Sequence, residues 1–487
     1  MSNPIRKLVG QTAIYGLPSI LGRLLNYLLV PLHTYYFAQT ADYGVISELY
    51  AWVAFLIVLL TFGMETAFFR FLQNEADKEK AYGASFWSVV GVNALFYLFL
   101  LYFNNDIASA LLFEGHNEYV VLLGTIVMID AITALPLARL RAEEKAVRFA
   151  TIQMTSIVLN IVLNVIAMVF FFSAERPEEG ILFILLANLI SSLAKPLLLY
   201  DSIFNVVFVK DWGLYKRMWR YAIPLVIAGF AGIINETFDR ILIKHLLYDP
   251  NIPDSLNYAE SQVGIYSACY KLAMLVTIIL QAYRYAAEPF FFKQMQNQDR
   301  NIVYVRVMNI FIAMVCAVFL VVGLNLDIFK HFIQKEAYWE GLKVVPILLL
   351  ANVCLGIYYN QSIWYKLSGK TQYGAYITIF GALLTIAINV YYIPQYQYMA
   401  SAWATLIVYA TQMTLSYFLG QRHYPIPYNL KKFFLYLASS LLLFWIGKQI
   451  HFEKALINHL LHNLLVLIFV GFAFVMEKSN LKPSAAH

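Results

Sequence analysis

Residues 218–247 read MWRYAIPLVIAGFAGIINETFDRILIKHLL, a long apolar run that carries charged side chains in its second half. At about 1.5 Å per residue, a helix of this length can span a bilayer core of about 30 Å. Each charge held near mid-membrane costs about 2.5–3.5 kcal/mol. The charged residues recur three and four positions apart and therefore share one helix face: Glu236, Asp239, Arg240 and Lys244. Because of this cost, we expect the charged face to contact protein or water and not lipid.

The charged face has two interpretations. In the first, Glu236 and Arg240 form an internal ion pair, and Lys244 extends its ammonium to the membrane surface from the helix end. In the second, the face is the wall of a path for a substrate or an ion, with Glu236 and Asp239 as candidates to bind H⁺ or Na⁺. The segment alone leaves both interpretations open.

The composition of the whole chain defines the class of protein. Hydrophobic residues make up 61%, charged residues only 13%, and the mean hydropathy is +0.63. A soluble domain carries about 25% charged residues, so this chain is predicted to be a polytopic membrane protein. The net charge of +6 reflects basic loops and does not indicate nucleic-acid binding. No cleavable signal peptide is expected, because the apolar run behind the short basic start is too long for one.

The hydropathy pattern predicts an all-α fold with about fourteen transmembrane helices. The predicted spans are residues 12–37, 44–70, 82–103, 119–138, 149–173, 180–204, 218–247, 263–291, 302–325, 342–366, 372–394, 399–420, 433–450 and 456–476. The loops between them are short, and 249–262 is one of the longest on the outer side. Lysine and arginine concentrate in one set of loops, which places both termini in the cytoplasm.

Three pairs of similar stretches indicate an internal repeat. YGVISELY at 43–50 resembles VGIYSACY at 263–270, with Gly44 matching Gly264 and Tyr50 matching Tyr270. The other two matches pair 16–18 with 222–224, and Arg141, Lys145 and Asn164 with Lys366, Lys370 and Asn389. Their common order predicts two parallel six-helix halves, 1–210 and 211–425, followed by two helices and a tail at 426–487.

The second half carries a family resemblance. LSGKT at 367–371, INVYYIP at 388–394 and ASAWAT at 400–405, with NIVLN at 160–164 in the first half, resemble motifs of bacterial polysaccharide flippases. These proteins belong to the superfamily of multidrug, oligosaccharidyl-lipid and polysaccharide exporters. The resemblance implies two six-helix bundles around a central cavity, lined mainly by spans 1, 2, 7 and 8. It also implies transport by alternating access.

The spans expected to line this cavity hold more cations than carboxylates. Arg23 is the strongest candidate, because no carboxylate accompanies it on its own span. Arg284 has a purely structural alternative, an ion pair with Glu288 one helical turn on. The candidates for binding an anionic substrate are Arg23, Asn26, Arg240, Lys271 and Arg284. The candidates for a coupling ion or an internal ion pair are Glu236, Asp239, Asp130 and Glu65.

Motifs of enzymes are not found, so no catalytic residue, metal site or cofactor is predicted. The chain has neither His-Glu-x-x-His nor Gly-x-Ser-x-Gly. GKT at 369–371 lacks the earlier glycine of a phosphate-binding loop, since Trp364 stands at that position.

Two classes of transporter remain. The first is a flippase that moves an undecaprenyl-diphosphate-linked oligosaccharide to the outer leaflet of a bacterial cytoplasmic membrane. Its partners would be membrane lipids, the polysaccharide polymerase and glycosyltransferases, and Na⁺ or H⁺ would drive it. The second is a multidrug or metabolite exporter, in which Asp130 or Glu65 supplies an unpaired carboxylate for a cation. A lipid II flippase is a near variant of the first class.

Overall fold

The computed structural model describes residues 21–481 except 23, 26, 75–77, 296 and 451, and every regular element within them is helical. The chain divides into two compact units, Met1–Gly264 and Ile265–His487. Each unit has its own buried apolar clusters. The two units are therefore described one after the other.

The first unit contains ten helices among its described residues and the start of an eleventh. They are α1 Leu29–Tyr36, α2 Thr40–Thr61, α3 Met64–Asn74, α4 Lys78–Tyr102, α5 Asn104–Ala110, α6 Asn117–Ala142, α7 Ala146–Ile166, α8 Pro177–Leu198, α9 Tyr200–Phe204, α10 Trp212–Leu247 and α11 Ser255–Gln294. Helix α6 packs against α2, α4 and α8, and α10 packs against α2, α3 and α4. Helix α10 contains the whole apolar segment 218–247 with its charged face, and it is 36 residues long.

The second unit takes in the rest of α11 and eight further helices among its described residues. They are α12 Arg300–Leu324, α13 Leu326–Phe329, α14 Val345–Gln361, α15 Ile363–Leu367, α16 Gln372–Tyr396, α17 Tyr398–His423, α18 Leu430–Gln449 and α19 Ala455–Leu481. Helix α17 packs against α14 and α16, and α12 packs against α14, α18 and α19. The last two helices, α18 and α19, also pack against each other.

Twelve helices of the described chain are long and apolar enough to cross a membrane. The prediction of an all-helical polytopic membrane protein is confirmed, whereas about fourteen spans were expected. The predicted span 12–37 lies partly outside the described residues, and its described part contains α1. The predicted span 399–420 is α17, a helix of 26 residues that is not one of the twelve. Its apolar character is diluted by polar side chains that lie buried, among them Ser401, Thr405 and Gln412.

The boundary between the two units does not coincide with the boundary of the predicted repeat. The repeat divides the chain near residue 210, whereas α10 and the first turns of α11 belong to the first compact unit. The two glycines that the repeat pairs, Gly44 and Gly264, lie against each other, which the repeat did not predict. The division into repeated halves at 1–210 and 211–425 and an addition at 426–487 stays a prediction.

The topology can be tested by labelling single cysteines. The loop charges place Lys145 and Lys370 in the cytoplasm and Asn117 outside. In a background without the three buried native cysteines, a cysteine at position 117 should react with an impermeant maleimide in intact cells. Cysteines at 145 and 370 should react only after the membrane is opened. Labelling of position 370 from outside would contradict the predicted orientation.

Candidate functional site: buried charges of the first unit

A buried ion cluster lies where α2, α10 and α11 meet. Lys244 Nζ on α10 is 2.9 Å from Glu48 Oε2 on α2 and 3.1 Å from Glu260 Oε1 on α11. The side chains of Lys244 and Glu48 are fully buried, and that of Glu260 is 14% exposed. Buried charges persist only where they are paired. We call these three residues the Lys244 cluster.

The ammonium of Lys244 has more partners than protons. Besides the two carboxylates, it donates to the carbonyls of Leu111 and Leu112 at 3.2 and 3.3 Å. It also lies 3.8 Å from the ring centroid of Phe113. An ammonium has three N–H donors, so the turn after α5 and all three helices converge on one cation. The interpretation of Lys244 as a side chain extended to the membrane surface is wrong, because its partners hold it inside the protein.

Helices α2 and α11 approach each other at a pair of glycines one turn from this cluster. A Cβ on Gly44 would lie 2.0 Å from the carbonyl oxygen of Glu260, and a Cβ on Gly264 would lie 1.8 Å from that of Thr40. Each would also lie 3.1 Å from the backbone nitrogen of the other glycine. The contact is reciprocal, and only glycine allows the two backbones this approach.

Asp239 and Arg240 form a second buried pair on α10. Arg240 Nη1 donates to Asp239 Oδ1 at 2.9 Å and to the main-chain carbonyl of Glu236 at 3.0 Å. The side chains of Arg240 and Asp239 are 9% and 7% exposed. Glu236 itself is exposed. The predicted side-chain pair of Glu236 with Arg240 is therefore replaced by a pair with the neighbouring Asp239.

A polar network runs through the helices of the first unit. His33 Nε2 on α1 lies 3.2 Å from Asn164 Oδ1 on α7, and Asn164 in turn donates to Asn160 Oδ1 at 3.3 Å. Asn160 donates to Asn188 Oδ1 on α8 at 2.7 Å, and Asn188 donates to Tyr50 Oη on α2 at 2.6 Å. Hydrogen bonds between polar side chains of different helices help to hold membrane-spanning helices together. The network therefore connects α1, α7, α8 and α2.

Asp130 lines a cavity at the end of this network. The cavity has a volume of about 180 Å³ and is lined also by Tyr50, Asn188 and Ser192. Lys195 Nζ on α8 lies 2.8 Å from Asp130 Oδ1. Asp130 is therefore paired, and the expectation that it offers an unpaired carboxylate is wrong.

Glu65 on α3 also forms an ion pair. Arg141 Nη2 donates to Glu65 Oε1 at 2.5 Å, and the Glu65 side chain is 41% exposed. Nearby in sequence, Arg148 donates to both carboxylate oxygens of Asp201 at 2.8 and 2.5 Å. These hydrogen bonds lower the pKa of Asp201, which lies outside the membrane-spanning segments. The prediction of an unpaired carboxylate at Glu65 is wrong as well.

The remaining predicted substrate contacts lie outside the first unit or outside the described residues. Lys271 and Arg284 belong to α11 in the second unit, where Lys271 is half-buried and the Arg284 guanidinium lies 4.4 Å from the ring centroid of Tyr359. Arg23, Asn26 and the side chain of Glu288 lie outside the described residues. Among the described side chains, no three His, Cys, Asp or Glu residues are grouped as ligands for a metal ion.

Sequence reasoning missed the Lys244 cluster as a site. Two features of the sequence could have indicated it. Glu48 interrupts an apolar run, and Lys244 continues the charged face of α10. Glu260 was placed in the outer loop 249–262, but α11 begins at Ser255 and carries Glu260 as a helical residue. No pattern in the sequence pairs these three positions, because they come from three separate helices.

The helices of the described chain define a polytopic membrane protein with buried charges in its first unit. Residues 8–295 match the family described as "Polysaccharide biosynthesis protein", and the chain belongs to this family. The predicted family is thus confirmed. No curated protein sequence is similar enough to match this chain.

Solved structures show the same fold at low sequence identity. "Lipid II flippase MurJ, inward closed conformation" has a TM-score of 0.65 and 14% identity, over 96% of this chain and 99% of that chain. A "multidrug resistance MATE family transporter of the MOP superfamily" has a TM-score of 0.61 and 14% identity when inward-facing, over 87% and 94%. An outward-facing structure, also described as a "multidrug resistance MATE family transporter of the MOP superfamily", has a TM-score of 0.58 and 15% identity, over 85% of this chain and 95% of that chain.

Proposed function

We propose that this protein is a flippase that carries an undecaprenyl-diphosphate-linked oligosaccharide from the inner to the outer leaflet of the bacterial cytoplasmic membrane. It would work by alternating access, with both termini cytoplasmic, and would supply surface polysaccharide biosynthesis alongside a polymerase and glycosyltransferases. The observation that carries the proposal is the match of residues 8–295 to the polysaccharide biosynthesis family. The likeness in fold to a lipid II flippase supports a lipid-linked substrate.

The substrate contacts are proposed to be cationic, because a diphosphate is an anion. Arg240 and Arg284 are suited to it, since a guanidinium can bind phosphate oxygens with two parallel hydrogen bonds. Arg284 is exposed and lies beside the ring of Tyr359, which fixes its position without neutralising it. Lys271, Arg23 and Asn26 complete the proposed set.

The Lys244 cluster supports a role in the conformational cycle. Glu48 belongs to the first predicted half of the repeat, whereas Lys244 and Glu260 belong to the second. Alternating access requires the halves to separate on one side of the membrane. We infer that the ion pairs of the Lys244 cluster break in that step. A ligand can favour the inward-facing or the outward-facing state only if it binds the two states with different affinities. H⁺ or Na⁺ is proposed as the coupling ion, with Glu236 and Asp239 as candidates, whereas Asp130 and Glu65 are members of ion pairs.

The pairing of carboxylates favours the flippase over the exporter of cationic drugs. The exporter interpretation needs an unpaired acid at Asp130 or Glu65. Asp130 Oδ1 lies 2.8 Å from Lys195 Nζ, and Glu65 Oε1 lies 2.5 Å from Arg141 Nη2. A cation would have to displace a lysine or an arginine to bind either of them. A lipid II flippase remains the nearest alternative substrate assignment.

Removal of the Arg240 guanidinium should test its proposed role as a substrate contact. Arg240→Ala is expected to lower transport about 10- to 100-fold, because charge-assisted hydrogen bonds contribute about 1.5–3 kcal/mol. Arg240→Lys should restore only part of it, since an ammonium lacks the paired donors. Transport is measured as surface polysaccharide restored to a deletion strain, normalised to protein abundance.

A double variant separates binding from structure at this position. Arg240→Ala/Asp239→Asn removes both members of the buried pair and leaves no carboxylate without its arginine. If Arg240 contacts the substrate, the double variant stays as defective as Arg240→Ala. Normal transport by the double variant would assign Arg240 a structural role only.

Deletion of the gene tests the function itself. Cells without the protein should accumulate lipid-linked glycan on the cytoplasmic side, where added glycosidase cannot reach it, and should lose surface polysaccharide. A deletion strain with intact surface glycan, without a second flippase and newly sensitive to cationic dyes, would favour drug export.

A further inference from the structure

Two adjoining cavities lie in the second unit, where α12 begins, α17 ends and α18 begins. The first has a volume of about 200 Å³ and the second of about 320 Å³. Both are lined by Asn309 and Asn429, so they adjoin at these two residues, and the pair is treated as one cleft. We call it the α12–α18 cleft.

The first cavity is apolar and open at the surface. It is lined by side chains of α12, α14, α17 and α18, including Ile312, Ile357 and Met413. Phe418 and Phe434 line it and are 65% and 61% exposed. Exposed phenylalanines on membrane-spanning helices face acyl chains, so this part of the cleft opens toward lipid.

The second cavity is polar and basic. Arg306 and Lys432 line it, together with Asn301. Lys432 forms an ion pair with the buried Glu477, in which Lys432 Nζ lies 2.6 Å from Glu477 Oε1. Arg306 differs, because its buried Nε has no hydrogen-bond partner within the described residues. The cleft therefore holds one guanidinium whose charge no described carboxylate balances.

Two further polar atoms in the cleft lack partners among the described residues. They are Gln361 Oε1 and Tyr428 Oη, both on the wall of the apolar cavity. The Gln361 side chain belongs to a residue that is only 5% exposed. Leaving a buried polar group without a partner costs about 1–3 kcal/mol. Three such groups around one cleft indicate that a ligand with polar and apolar parts completes it.

We propose that the α12–α18 cleft binds one anionic glycerophospholipid. An acyl chain fills the apolar cavity, and the phosphate accepts hydrogen bonds from Arg306. The Tyr428 hydroxyl and the Gln361 carboxamide, on the wall of the apolar cavity, serve the ester groups. A free phosphate would leave the apolar cavity empty, and a zwitterionic lipid would bring its own cation to Arg306. Basic grooves between transmembrane helices on the cytoplasmic side suit anionic headgroups.

Native mass spectrometry of the purified full chain tests this site. Phosphatidylglycerol and phosphatidylcholine with identical acyl chains are added at equal concentration to the delipidated protein. The wild type should retain phosphatidylglycerol about tenfold better, because a charge-assisted hydrogen bond contributes about 1.5–3 kcal/mol. Equal retention of the two lipids would overturn the proposal.

Variants identify the position of the lipid. Arg306→Gln should reduce the preference to about one, whereas Arg306→Lys should keep part of it. Arg300→Gln is the matched control on the same helix and should keep the full preference, since Arg300 donates to the carbonyl of Met295 at 2.9 Å and lines neither cavity. Full preference in Arg306→Gln, or its loss in Arg300→Gln, would refute the site.

Filling the cleft tests the apolar part independently of charge. Thr414→Trp places a large side chain into the wall of the apolar cavity and should lower retention of both lipids at unchanged melting temperature. Undecaprenyl phosphate serves as the competing probe. If it displaces phosphatidylglycerol at equal concentration in an Arg306-dependent way, the isoprenoid carrier is the occupant and the phospholipid assignment is wrong. These measurements read binding and do not depend on the transport function.

Discussion

Replacing Lys244 with methionine is expected to destabilise the protein by about 3–5 kcal/mol, the usual cost of leaving a buried charge unpaired. The change keeps the side-chain length but leaves Glu48 and Glu260 facing each other without their shared cation. It also removes the donor that holds the carbonyls of Leu111 and Leu112. The apparent melting temperature of the purified protein should fall by about 3–5 °C. Light scattering during heating in detergent measures it.

Two controls separate the loss of pairing from the loss of a side chain. The triple variant Lys244→Met/Glu48→Gln/Glu260→Gln carries no charge in the cluster and should recover most of the stability. Lys195→Met removes a more exposed lysine with a single carboxylate partner and should cost less. A Lys244→Met protein that melts like the wild type would show that the cluster does not hold α2, α10 and α11 together.

Placing a methyl group on either glycine of the α2–α11 contact is expected to reduce transport about 100-fold. The added Cβ would lie 2.0 Å from a backbone oxygen at Gly44 and 1.8 Å at Gly264, so the helices must move apart. Overpacking costs about 1–3 kcal/mol where side chains can yield, and backbone yields less. Gly44→Ala and Gly264→Ala should therefore disfavour the state in which this contact is made. Surface polysaccharide in a complemented deletion strain measures transport.

Glycines elsewhere in the first unit provide matched controls for this effect. A Cβ on Gly91 of α4 or on Gly232 of α10 would have no neighbour within 4 Å among the described residues beyond its own helix backbone. Gly91→Ala and Gly232→Ala should transport normally, and alanine raises helix propensity. Normal transport by both Gly44→Ala and Gly264→Ala would show that the close approach is not part of the cycle.

The class of fold could be predicted because it depends on local patterns. Apolar runs of membrane-spanning length identify helices directly, since the bilayer leaves the backbone little alternative. The repeat paired Gly44 with Gly264 as equivalent positions, but it did not predict the reciprocal contact that these two residues make. Helix α17 was predicted as a span and a helix is present there, but its buried polar side chains leave it outside the twelve candidate spans.

The partners of individual charges could not be predicted in the same way. The sequence indicates that the charge of Arg240 needs a carboxylate partner, and both Asp239 and Glu236 are close enough along the helix to provide one. Side-chain rotamers and helix packing decide that the partner is Asp239. Lys195 and Asp130 come from different helices, as do Arg141 and Glu65. A helix pattern gives the face on which a charge lies, whereas its partner depends on how the helices pack.

The polar character of α17 has a consequence for how the chain enters the membrane during synthesis. Ser401 near the start of α17 donates to Asn389 Oδ1 on α16 at 2.7 Å, and both residues are buried. The two helices are joined at Gln397 alone. A segment with reduced apolarity gains little from partitioning by itself, but a partner that satisfies its hydroxyl lowers the cost. We therefore expect α16 and α17 to leave the translocon as a hairpin, so that Asn389→Leu would delay integration of the helix that follows it.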